Sequence, residues 1–263
     1  MKVLTRTIVG VVGLLLLAGV ARADWPNNDP TKWVQLPDRL PTGLDVDATA
    51  PKILADDFLC TFSGFITDVH IWGSWLNDVL PPGGPGDVTF KLSFHLDIPA
   101  GVVGPYSRPG AEVWTYIAGP GSYLVRPDGS GVEHFFDPEA GVIIGNDNVI
   151  WQYNFLIPEG LRFFQQQGSI YWLDVQALVP DPLARFGWKT SLDHWNDDAT
   201  WALTPFGVPV LDPMAWGELR YPVGHPLEFQ SIDLAFALTT PEPGTILSAG
   251  GLAMLLLRRR RDR

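Results

Sequence analysis

From Asp87 to Ile98 the chain reads DVTFKLSFHLDI. Val88, Phe90, Leu92, Phe94, Leu96 and Ile98 alternate there with Thr89, Lys91, Ser93, His95 and Asp97. A period of two predicts a β-strand with one buried face, because successive strand side chains point to opposite sides of a sheet. On a helix the same residues would spread around the whole cylinder. VIWQYNFL repeats the pattern with Val149, Trp151, Tyr153 and Phe155, and SIDLAFAL with Ile232, Leu234, Phe236 and Leu238. ITDVHIW, AEVWTYI, EHFF and SIYWLDVQA are β-branched or aromatic runs of strand length. Between them PPGGPG (81–86), RPDGSG (126–131) and GND (145–147) carry the residues that chain reversals use. EGLRFFQQQ could form one short helical turn, and no internal repeat is found. The expected fold class is all-β: a single two-sheet β-sandwich, jelly-roll-like, over residues 24–240.

The two ends break this pattern. Lys2 and Arg6 precede an uncharged apolar run, Ile8 to Val20, and Ala21-Arg22-Ala23 follows it. That is the layout of a secretory signal peptide, residues 1–23, with cleavage expected after Ala23. At the other end, Ile246 to Leu257 is apolar. As a helix it would reach only about 18 Å, against a hydrocarbon core of about 30 Å. Gly250-Gly251 weakens it further. Arg258, Arg259, Arg260 and Arg261 obey the positive-inside rule if this end stays cytoplasmic while the body is exported. A transient span, and not a permanent anchor, is expected.

Pro241-Glu242-Pro243, the short apolar run and the terminal arginine cluster together resemble a PEP-CTERM sorting signal, over residues 239–263 only. The resemblance implies an exosortase-type membrane processing enzyme as partner. It also implies transient inner-membrane insertion, then delivery to the cell surface or extracellular matrix. The segments ILADDFLC…ITDVHIWGSW (53–75), SIYWLDVQA (169–177) and FGWKTSLDHWNDDATW (186–201) resemble a β-sandwich domain recurring in exported bacterial proteins. That second resemblance implies no activity.

Setting the ends aside changes the charge. The whole chain carries −11, but residues 24–240 hold ten Lys/Arg against 27 Asp/Glu, a net −17. Such a body repels nucleic acid and anionic lipid, so no nucleic-acid partner is expected. The single cysteine, Cys60, gives no disulfide framework; in its apolar surroundings it is read as buried and inert.

Candidate chemistry is sparse. SLDHWNDDATW gathers Asp193, Asn196, Asp197 and Asp198, hard oxygen donors that could hold Ca²⁺, although the loop lacks the glycine and closing glutamate of an EF-hand. The competing and preferred reading is a polar loop whose side chains cap backbone amides. Asp56-Asp57 would point to opposite strand faces and so cannot pair as acid and base on one face; one could be a ligand or turn cap with the other in solvent, but a structural role is the preferred reading. LDVDATA (44–50), with Asp45 and Asp47, is read as a solvated loop. Of eleven tryptophans, Trp72, Trp75, Trp188, Trp195 and Trp201 could form a rim platform for extracellular polysaccharide. Core or loop packing is the commoner use of such rings. Five scattered histidines and the absence of H-E-x-x-H, G-x-S-x-G and P-loop motifs lead to the expectation of a non-enzyme without a cofactor. A polysaccharide-active enzyme, needing only two carboxylates, is the less favoured alternative.

Overall fold

The computed structural model describes Trp25 and residues 30–240. Ala21 and Ala23 of the cleavage site lie outside the described residues, as do Pro241, Glu242, Pro243 and the four arginines of the sorting signal. The first eight strands are β1 (Thr31–Gln35), β2 (Leu44–Asp47), β3 (Lys52–Leu59), β4 (Gly64–Phe65), β5 (Asp68–Trp75), β6 (Thr89–Ile98), β7 (Arg108–Ala118) and β8 (Leu124–Asp137). The second eight are β9 (Val142–Leu156), β10 (Phe164–Gln165), β11 (Ile170–Leu178), β12 (Phe186–Ser191), β13 (Thr200–Leu203), β14 (Gly217–Glu218), β15 (Asp233–Leu234) and β16 (Phe236–Thr239). Helical structure among the described residues is limited to 3₁₀ turns at Leu76–Asp78, Glu159–Leu161 and Pro213–Ala215. No helix among them is long and apolar enough to cross a membrane.

The strands form an eight-stranded sheet in the order β1-β16-β5-β9-β8-β2-β12-β15, a six-stranded sheet in the order β14-β13-β3-β11-β6-β7, and a small β10-β4 ribbon. The fold is thus all-β, and a sandwich-like arrangement fits it. Phe90 on β6 meets Tyr153 and Phe155 on β9 and Phe186 on β12, with ring centroids 5.0 to 5.3 Å apart. Phe58 on β3 reaches Phe236 on β16 at 5.7 Å. These edge-to-face contacts bridge the two larger sheets and fill the main core.

The period-two segments land on strands, but the polar faces differ from expectation. On β6, Phe90, Leu92 and Phe94 are buried as expected, while Leu96 is exposed. Lys91, Ser93 and His95, on the opposite face, are buried too. The loop segments 99–107 and 204–216 contribute contacts over that face: Trp216 packs on His95, Tyr106 donates to the Trp216 carbonyl at 2.9 Å, and Gln176 donates to the Thr204 carbonyl at 2.9 Å.

Two expected turns are not turns. RPDGSG lies within β8, where Pro127, Gly129 and Ser130 mark bulges in the pairing with β9. GND lies within β9, and the reversal falls at 138–141, where Gly141 takes a left-handed φ of 69°. Bulges use the same residue types as turns, which explains the misreading. PPGGPG is a loop before β6, as expected, and EGLRFFQQQ holds one 3₁₀ turn.

Candidate functional site

LDVDATA is not a solvated loop. It contains β2, and Asp45 and Asp47 are fully buried. β2 pairs in parallel with β8 and antiparallel with β12, and β12 also pairs with the end of β5. Because β5 pairs with β9 and β9 with β8, the five strands β5, β9, β8, β2 and β12 close on themselves as a ring within the eight-stranded sheet. Register places Asp45 opposite Lys189, Asp47 opposite Gly187, Gly187 opposite Ser74, and Glu133 opposite Asp147. Directly paired residues share a face, so one polar side chain from each strand points to the side away from the main core. The ring is tight: a Cβ on Gly187 would come within 2.7 Å of the Phe135 ring and 2.8 Å of the Asp45 Cβ.

Lys189 is enclosed there. Its Nζ donates to Glu133 and lies 3.4 Å from Asp45 Oδ2. Burial would lower its pKa, but the Asp45 and Glu133 charges outweigh that and raise it. Burial, opposed by Lys189, pushes Glu133 up to about 7. Asp47 belongs to a neighbouring network: Arg185 binds both Asp47 and Asp137, and Lys52 lies 3.3 Å from Asp47.

A second cluster sits on the outer face of the six-stranded sheet. Asp174 on β11 accepts from Ser93 and holds His95 Nε2 at 2.7 Å; His95 Nδ1 lies 3.0 Å from the Gly110 carbonyl. Lys91 binds Glu112 at 2.7 Å and approaches Asp174 at 3.6 Å. Burial would lower the His95 pKa, but the bond to Asp174 and its charge raise it above the ordinary value. Burial would raise Asp174, yet His95 and Lys91 hold it low. Serine, histidine and aspartate are all present, but the hydroxyl bonds to the carboxylate and both imidazole nitrogens are engaged. A nucleophilic triad needs the hydroxyl on the imidazole. This arrangement is a clamp between β6, β7 and β11.

The four residues of the acidic loop turn to separate partners. Asp193 accepts from the Leu36 amide at 2.9 Å, and Asn196 donates to Asp57. Asp197 accepts from the Ser107 amide and hydroxyl at 2.7 and 2.9 Å. Asp198 accepts from Ser231 and pairs with Arg220 at 2.7 Å. Only Asp197 and Asp198 come together, with Glu218, and Arg220 supplies the positive charge beside them. Asp56 and Asp57 do point to opposite faces, but neither is in solvent. Asp56 lies in the core, accepting from Gln35 at 3.0 Å and from the Leu234 amide at 2.6 Å. Burial pushes Asp57 up to about 8.

The tryptophan platform is corrected by burial. Trp72, Trp75 and Trp188 are closed to solvent, with indole N–H groups donating to Asp128, Tyr153 and the Ala235 carbonyl. Trp195 and Trp201 are half-buried, Trp195 packing edge-on to Trp33 at 5.2 Å. Large rings fill cores as readily as they bind sugars, and no local pattern separates the two uses. Cys60 is buried, its thiol 3.2 Å from the Phe62 carbonyl. Glu133, Asp147, Lys189, Asp174 and Glu218 carried no signal in the sequence, because each cluster is assembled from distant strands.

Residues 31–239 match a family described as a domain of unknown function (DUF7901). No curated protein and no solved structure matches the chain. The matched span opens on the first residue of β1 and closes on the last residue of β16. It covers well over half of the sequence, and the chain therefore belongs to the DUF7901 family.

Proposed function

We propose that this chain is an exported, non-catalytic surface or extracellular-matrix protein. Its parts are a signal peptide (1–23), one jelly-roll-like β-sandwich (24–240) and a PEP-CTERM sorting signal (241–263). The observation that carries this reading is the joint between domain and tail. β16 ends at Thr239, Thr240 is buried and donates its amide to the Pro30 carbonyl at 3.1 Å, and the next residues are Pro241-Glu242-Pro243. The tripartite tail thus follows directly on the last strand and on the last hydrogen bond made among the described residues. The family match stops at the same place. The buried, internally paired His95–Asp174 clamp supports the non-catalytic part, since no substrate reaches a group enclosed in this way. Burial of Trp72, Trp75 and Trp188 leaves the polysaccharide reading with only two half-exposed rings of its five.

The test is replacement of Pro241, Glu242 and Pro243 by alanine in the native host. The variant is expected to fold and melt like the wild type but to stay unprocessed in the membrane fraction. Normal processing and surface delivery of that variant would overturn the proposal.

A further inference from the structure

The ring of β5, β9, β8, β2 and β12 encloses more negative charge than it neutralises. Asp45, Glu133 and Asp147 are each at most a few per cent exposed, and one oxygen from each lies within 4.8 Å of the others. Among the described residues Lys189 is the one cation paired with them, through Glu133 and Asp45 Oδ2. Asp38, which also acts on Glu133, is already engaged by the Leu40 amide and the Thr42 hydroxyl at 2.8 and 2.7 Å. With all three carboxylates ionised, as cation ligands would be, they and one ammonium would leave two negative charges.

The oxygens themselves supply the second, independent observation. Both carboxylate oxygens of Asp147, Asp45 Oδ1 and the Ser74 hydroxyl are buried, and none of them makes a hydrogen bond of good geometry. The Ser74 hydroxyl lies within hydrogen-bonding reach of both Asp45 and Asp147, which puts these oxygens in one place, and its single proton can satisfy only one of the carboxylate oxygens. Buried polar groups in native proteins are nearly always satisfied, and carboxylates have no protons of their own to share. Ca²⁺ takes six to eight oxygens at roughly 2.3–2.6 Å, so ligands on opposite sides of one ion lie up to about 5 Å apart. The observed spacing meets that limit. Mg²⁺ prefers to keep several waters, which a closed ring does not offer.

We propose that this ring is a calcium site, with Asp147, Asp45 and Glu133 as carboxylate ligands, Ser74 as a neutral ligand and Lys189 as a second neutralising charge. The site is distinct from the acidic loop at 193–198. Gly43 closes it: a Cβ there would lie 2.5 Å from Glu133 Oε1 and 2.6 Å from Lys189 Nζ, so this position has no room for a side chain. An ion so enclosed is captured as the strands assemble and exchanges slowly.

The experiment uses the full chain in detergent, unfolded and refolded with either Ca²⁺ or a chelator, followed by elemental analysis after gel filtration and by thermal melts. One tightly held Ca²⁺ per chain is expected, with a melting point roughly 5–10 °C higher than in chelator for saturation near 100 times Kd. Asp147→Asn should lose the ion and the difference, and Asp197→Asn in the acidic loop should keep both. No bound ion and equal midpoints in the wild type would overturn the proposal, a proton on Asp147 then being its neutralising partner. Loss of the ion in Asp197→Asn would equally overturn it, and this variant decides the location even if Asp147→Asn fails to fold.

Discussion

His95 shows how one side chain sets a pH response. Its folded pKa is raised because Asp174, 2.7 Å away, favours the imidazolium. A histidine held above its unfolded value of about 6.5 stabilises the fold fully below that pH. The contribution disappears as pH rises through the folded value. Asp174, held low, gives the opposite limb: its contribution is present above about pH 3.8 and is lost on further acidification. Urea midpoints between pH 5 and 9 should therefore fall above pH 6.5. His95→Gln should flatten that fall and cost about 1–3 kcal/mol at pH 6, the range for a charge-assisted hydrogen bond. An unchanged pH profile in the variant would show that the clamp carries no charge. Truncating Asp174 instead would leave buried His95 without its carboxylate and Lys91 with Glu112 alone, a larger loss, because uncompensated buried charge is costly.

At the scale of elements, the closed ring depends on residues that vanish at its narrowest point. Gly187 faces Phe135 and Asp45 with no space for a methyl group. Gly187→Ala must push β12 away from β2 or tilt Phe135, and overpacking of this kind costs about 1–3 kcal/mol or more. Chemical denaturation should register that loss, whereas alanine at Gly64, where an added Cβ meets nothing, should be silent. The sequence was most readable where a strand buries one apolar face on the main core, as Ile232, Leu234, Phe236 and Leu238 do. It was misread at β2, because the cations that make Asp45 and Asp47 tolerable inside the protein are Lys189, Arg185 and Lys52. Two of those three lie more than a hundred residues away in sequence. It was misread again at β8, where proline and glycine sit in bulges within a long strand and not in a turn. The candidate loop at 193–198 was visible as a cluster of letters, but its side chains diverge to Leu36, Ser107, Ser231 and Asp57. Proximity along the chain marked an acidic segment without making a site.

Over the whole molecule, the net −17 of residues 24–240 is partly internal. Aspartates and glutamates hold strands together from beneath covering loops, so both sheets bury polar as well as apolar faces. Such networks constrain which strands can pair, since a slipped register would leave carboxylates without their partners. The first strand of the sheet, β1, pairs with the last, β16, through Trp33↔Leu238 and Gln35↔Phe236, and β2 waits for both β8 and β12. Contacts of such sequence separation make folding slow, because loop closure must precede the reward. During synthesis from the N-terminus, the eight-stranded sheet therefore lacks the strand that joins β1 to β5 until Thr239 has been delivered. Chains truncated before Phe236 should be degraded by a protease that spares the complete chain. A domain built in this way cannot complete its larger sheet until its final strand is available, so its architecture ties folding to the end of the chain.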